Sequence, residues 1–152
     1  MRTIGIRVSP SSVTYVIYDA QAKSILTADK INVPKALSVP DSLKFVRSNV
    51  LDIIREYEID KAGIRISETT VRRQSIERIQ LEGVIQEALA SSSVSKYYCG
   101  QISSISARAG IARADFKKYI ADELVFDRIP GWTRHSVEEK EAMLTAIGAE
   151  HA

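Results

Sequence analysis

Cysteine is nearly absent from this chain: Cys99 is the only one. A lone cysteine makes no internal disulfide and cannot build a cysteine cluster for zinc. Its place at a predicted strand end suggests a buried, inert thiol. Histidine is almost as scarce. His135 and His151 lie far apart, and although Glu138 follows His135, neither sits in a metal-ligand motif. No apolar run approaches the ~20 residues of a membrane span. Arg7, Ser9 and Pro10 interrupt the apolar core that a signal peptide would need. A reducing, cytoplasmic location away from membranes is the simplest expectation. There is no P-loop, no dinucleotide-binding glycine motif and no Ser-His-Asp arrangement. Internal repeats and low-complexity segments are also lacking. The single tryptophan, Trp132, follows Pro130-Gly131 and is expected to fold back onto the core.

What is present suits one domain over residues 1–152. Hydrophobic residues make up 45% and charged residues 26%, the composition of an ordinary globular chain. The net charge of +2 hides an uneven distribution. Residues 61–118 carry ten basic and five acidic side chains, and residues 119–152 carry three and seven. A basic middle hints at a phosphate-bearing partner. A solvated helix of mixed charge explains it equally well.

The opening stretch organises the rest. Ile4, Ile6 and Val8 alternate with Thr3, Gly5 and Arg7. A Ser9-Pro10-Ser11-Ser12 turn leads to a second β-branched and aromatic run, Val13 to Tyr18, which predicts an antiparallel hairpin. Ser24 to Val33 reads as a third strand with a bulge. Leu43, Val46, Val50, Ile53, Ile54 and Tyr57 give one apolar face to a helix over 41–57, capped by Ser38 or Asp41. Lys61 to Ile66 reads as a buried parallel strand. A longer helix is expected over 70–91, with Val71, Ile76, Ile79, Gly83, Ile85, Ala88 and Leu89 inward. Gly83 in mid-helix costs ~1 kcal/mol against alanine, which suggests close contact with another backbone. Val94 to Cys99 is expected as a fifth strand, 100–110 as loop, and Ala112 or Arg113 to Leu124 as a helix. Ser136 and Glu139 form a capping box for a last helix to about Gly148.

Three strands, helix, strand, helix, strand and helices is an element order that resembles the RNase H-like superfamily. The details look most like its RuvC resolvase branch. The residues that carry this are Ile4-Gly5-Ile6 before a turn, Lys61-Ala62-Gly63-Ile64, the helix Gln80 to Leu89, the basic stretch Arg108 to Lys118, and His135 through Ala146. The resemblance spans nearly the whole chain. It implies an α/β fold with a mixed five-stranded sheet, three antiparallel N-terminal strands followed by parallel ones, and helices on both faces. It also implies a metal site in active members. Carboxylates from the end of the first strand, the end of the fourth and the last helix hold two divalent cations about 4 Å apart.

Matched position by position, this chain departs from that pattern. Arg7 stands at the first-strand position and Arg65 at the fourth-strand position, while Glu138 and Glu141 remain acidic on the last helix. Guanidinium groups repel Mg²⁺ rather than ligate it. The expectation is an ion-pair cluster in place of a metal site, and no cofactor. The leading function is a non-catalytic domain that binds structured nucleic acid, or a subunit of a nucleic-acid-processing assembly. Arg72, Arg73, Arg78, Arg108, Arg113, Lys117 and Lys118 are the candidate phosphate contacts. Their bland alternative is solvated surface with pairs such as Arg73–Glu77 and Arg78–Glu82. A rival reading is an Mg²⁺- or Mn²⁺-dependent nuclease with a shifted site of Glu68, Glu138 and Glu141, which Glu141→Gln would inactivate. A third is a scaffold that binds only protein, including copies of itself.

Overall fold

A computed structural model describes all of residues 1–152. Strands β1 (Arg2–Ser9), β2 (Ser12–Asp19) and β3 (Ser24–Asn32) form an antiparallel meander. Helix α1 (Val39–Glu56) crosses to β4 (Lys61–Arg65), and α2 (Ile76–Ser91) crosses to β5 (Lys96–Gly100). Both β4 and β5 run parallel to β1, so the sheet order is β3-β2-β1-β4-β5. Helices α3 (Ile102–Ala109), α4 (Phe116–Ile120) and α5 (Val137–Ala149) follow. The expected five-stranded mixed sheet is present, and the bulge falls at Leu26, where the β2–β3 register slips.

Period-two alternation sorts β1 between two layers. Ile4, Ile6 and Val8 join Val13, Ile17, Ala62 and Ile64 under α1 and α2. Thr3, Gly5 and Arg7 point to the other face, where α5 lies. The second layer packs Val16, Tyr18 and Tyr98 against α3, α4 and α5. Helix α5 is buried along its whole length from Lys140 to Ala149. It comes this close because β1 offers a glycine: a Cβ on Gly5 would lie 2.0 Å from the Ala142 carbonyl oxygen and 2.3 Å from the Ala146 amide nitrogen. Thr3 Oγ1 donates to the Ala146 carbonyl at 2.6 Å, and Tyr98 Oη donates to that of Thr145 at 2.8 Å. The Ser136–Glu139 capping box starts α5 as expected, and Ser38 caps α1.

The structure corrects several expectations. Helix α2 begins at Ile76, capped by Ser75, so residues 70–75 are loop. Val71, Ile76 and Ile79 are exposed, leaving Leu81, Ile85, Ala88 and Leu89 as its inner face. Gly83 faces open space, with nothing within 4 Å of where a Cβ would stand. The close backbone approach expected there occurs at Gly5 instead. Residues 102–109, read as loop, form α3, because Ile102, Ile105 and Ala109 recur at helical spacing against α5. The helix expected over 112–124 is a single 3-10 turn, Arg113–Asp115, and the short α4. Asp122 turns left-handed at φ 60° and the Glu123 amide closes back on the Lys118 carbonyl, which ends α4 early. Cys99 is exposed on the edge strand β5, not buried. Trp132 is buried as expected, donating to the Tyr119 carbonyl at 3.0 Å. No helix is long and apolar enough to cross a membrane.

Candidate functional site

Parallel pairing of β1 and β4 sets Arg7 directly beside Arg65 at the carboxyl ends of the two central strands. Both belong to the alternating set that faces α5, so both guanidinium groups reach the first turns of that helix. Glu141 meets them there. It forms an ion pair with Arg7 Nε, and its Oε2 lies 3.9 Å from Arg65 Nε. Arg65 is 5% exposed. Its Nη1 also bonds the Ile66 carbonyl and lies 3.4 Å from Glu68 Oε1, and its guanidinium sits 5.9 Å from the centre of the Phe116 ring.

Glu68, just past β4, accepts from the Ile102 amide at 2.7 Å. A carboxylate there answers the unsatisfied amides and positive end of α3. A second pair adjoins the cluster: Arg78 Nε donates to Glu82 Oε2 at 3.1 Å, and Glu82 accepts from both the amide and the hydroxyl of Ser67. Burial pushes the Glu141 carboxyl above the ordinary glutamate range; Arg65 and Arg78 pull it down, while Glu138 and Glu68 push it up. The net rise fits a buried ion cluster whose desolvation outweighs its Coulomb gain.

Two divalent cations would need carboxylates converging from both strand ends and the last helix. Here both strand positions carry guanidinium groups, and no three His, Cys, Asp or Glu side chains are grouped to hold a metal. The residues present do not fit such a pair. Glu138 is exposed and lines a separate polar cleft with Ser9, Thr14, Asp29 and Lys30. Glu68 borders a different cleft, with Thr70, Ile102, Arg113 and Lys117. Of the three glutamates of the shifted-site reading, Glu138 and Glu68 line different clefts and Glu141 is taken up by Arg7 and Arg65.

The basic candidates divide among several surroundings. Arg113 and Lys117 are exposed in the cleft beside Glu68, and Arg72 and Arg73 are exposed on the loop that contributes Thr70 to it. Arg78 is half-buried and paired to Glu82, and Lys118 lies 3.8 Å from Asp115. Arg73 and Glu77 form no ion pair, unlike the expected Arg78–Glu82 pair. Arg108 turns elsewhere, over the Tyr98 ring. Sequence reasoning placed Arg7 and Arg65 with Glu138 and Glu141, of which only Glu141 pairs with them, and assigned Glu68 only to the nuclease alternative. Its position three residues beyond Arg65 was the available signal.

No family model matches the chain, and no curated protein matches it. Solved structures do. RuvC from Thermus thermophilus superposes with a TM-score of 0.71 at 10% identity, covering 97% of this chain and 92% of that one. The same organism's RuvC in complex with a Holliday junction substrate gives 0.71 at 11% identity, over 97% and 92%. The fowlpox virus Holliday junction resolvase gives 0.52 at 13% identity, over 99% and 96%. At these identities the likeness is one of fold. The chain therefore has the RNase H-like fold in its RuvC-like form.

Proposed function

We propose that this chain is a non-catalytic RuvC-like domain that binds structured nucleic acid. The observation that carries the reading is the exchange at the strand ends: Arg7 and Arg65 stand paired with Glu141 and Glu68 where two-metal chemistry would need converging carboxylates. Beside this cluster lies a cleft bearing Arg113 and Lys117, next to the exposed Arg72 and Arg73. Cations around a concave surface suit a phosphate backbone, which they bind without metal and with strong salt dependence. A RuvC of the same fold is seen on a Holliday junction substrate, so a branched duplex is the first ligand to try.

The test is fluorescence anisotropy with labelled four-way junction, duplex and single-stranded DNA, and with RNA. It is run with and without Mn²⁺ across a salt series, and the samples are then resolved on a gel. The expected result is metal-independent binding of an intact probe, with each lost phosphate contact flattening the salt slope by about one. Arg113→Ala with Lys117→Ala should weaken binding to every probe. Metal-dependent cleavage would overturn the reading in favour of a nuclease. No binding at low salt would leave a domain that recognises protein.

A further inference from the structure

A second charged pocket, unused by the strand-end reading, lies toward the opposite end of the sheet. It has a volume of about 410 Å³ and opens beside Tyr18, with Lys23, Arg108, Arg128, Glu150 and His151 around it. Tyr18 pairs with Thr3, whereas Arg7 pairs with Thr14. At about 3.3 Å per residue, the two places lie ~13 Å apart along β1.

Arg7, Arg65, Arg78 and Lys140 each have a carboxylate partner, while half-buried Arg2 and Lys61 donate to the backbone carbonyls of Tyr57 and Glu150. Lys23, Arg108 and Arg128 have no ion-pair partner, although Glu150 shares their pocket. Both arginines are nevertheless fixed. The Arg108 guanidinium lies 4.6 Å from the Tyr98 ring centre, its Nη1 donates to Ser104 Oγ at 2.7 Å, and its buried Nε has no partner. Arg128 lies 4.6 Å from the Phe126 ring centre and donates to the Ala109 carbonyl at 2.5 Å. Gly148 makes room for the first stack, since a Cβ there would come within 2.6 Å of Tyr98 Oη and 3.2 Å of Arg108 Cβ. Lys23 stands in the β2–β3 turn with φ at 53°.

Some of this charge answers the C-termini of α3 and α5, each worth about half a negative charge. Three cations still exceed one carboxylate and two helix ends. Two pre-positioned guanidinium groups and an ammonium around a pocket of this size match a phosphate group. We propose that this pocket is a second, phosphate-binding site. The phosphate is carried either by a small phosphorylated molecule or by the end of a nucleic-acid strand. The inference stands apart from the proposed function, because none of these residues lines the cleft that holds Arg113 and Lys117.

Isothermal titration in chloride buffer at constant ionic strength tests it. The probes are inorganic phosphate, adenosine 5′-monophosphate, and one short oligonucleotide with either a 5′-phosphate or a 5′-hydroxyl. Saturable phosphate binding is expected, falling about tenfold or more in Arg108→Gln and in Arg128→Gln. Lys23→Gly should weaken it several-fold with no loss of thermal stability, because glycine accepts the left-handed backbone. Arg113→Ala should leave it unchanged. Comparable affinity for inorganic phosphate, the nucleotide and the phosphorylated strand assigns a small ligand. A preference of about tenfold or more for the 5′-phosphate strand, retained in Arg113→Ala, assigns a strand end. Absence of saturable phosphate binding overturns the proposal, as does binding that survives Lys23→Gly and both glutamine variants intact.

Discussion

The two faces of the sheet reach burial by different chemistry. Under α1 and α2, the β1 side chains are Ile4, Ile6 and Val8, and closure follows from apolar area alone. Under α5 they are Thr3, Gly5 and Arg7, and closure needs a missing side chain, a hydroxyl-to-carbonyl bond and a buried counter-ion. The first face tolerates any apolar residues of about the right volume. The second depends on particular atoms, so single substitutions on it should have large and dissimilar effects.

Gly5→Ala should show the largest effect, a loss of ~3 kcal/mol or more, because the added methyl meets α5 backbone that cannot step aside. Urea denaturation measures it; a midpoint equal to wild type would mean that the two elements do not pack as tightly as described. Arg7→Met should cost ~3 kcal/mol at neutral pH by leaving the Glu141 carboxylate short of a partner. That deficit should shrink with acid. The folded Glu141 pKa is raised, so this group's stability contribution is full below its unfolded value and is lost as pH rises through the folded one. Protonated, Glu141 no longer needs Arg7. Unfolding curves for both proteins from pH 4 to pH 7 check this, and a pH-independent gap would contradict it.

Tyr98→Phe removes one buried bond to the Thr145 carbonyl and should cost ~1 kcal/mol. The same titration serves, and it calibrates how much of the α5 face rests on hydrogen bonding. The smallest expected change has the opposite sign. Gly83→Ala sits on the outer side of α2 with open space around it, and should stabilise by ~0.5–1 kcal/mol in thermal or urea unfolding. A loss there would show that the outer side of α2 is covered in solution.

The same contrast explains what the sequence disclosed. Alternation in β1 and β2, the stripe of α1 and the Ser136–Glu139 box are local signals, and each fixed its element. The oily face was legible from them. The α5 face was not, because Thr3, Gly5 and Arg7 read as a wet side until a helix is known to lie on them. Gly83 drew attention that belonged to Gly5, since a helical glycine looks anomalous and a strand glycine beside isoleucines does not. Helix α3 was missed because its serines are weak helix formers and only three positions mark its inner face. At the candidate site, the strand-end places of Arg7 and Arg65 followed from the family likeness. The separation of Glu138 from Glu68 did not, because it depends on which way α5 turns its first residues. Arg108 was grouped with Arg113 by nearness in sequence, yet α3 turns it toward a different pocket.

Helix α5 also bears on the order in which the molecule can assemble. Residues 2–91 contain everything needed to cover one side of β1 and β4, whereas the other side waits for residues 137–149. During synthesis, Arg7 and Arg65 emerge long before Glu141; Glu68 can reach Arg65 at once, but Arg7 has no counter-ion on an uncovered surface throughout that interval. Contacts that join the two ends of a chain are formed late and slowly. The interval before α5 docks is therefore when this domain is most open to misassembly.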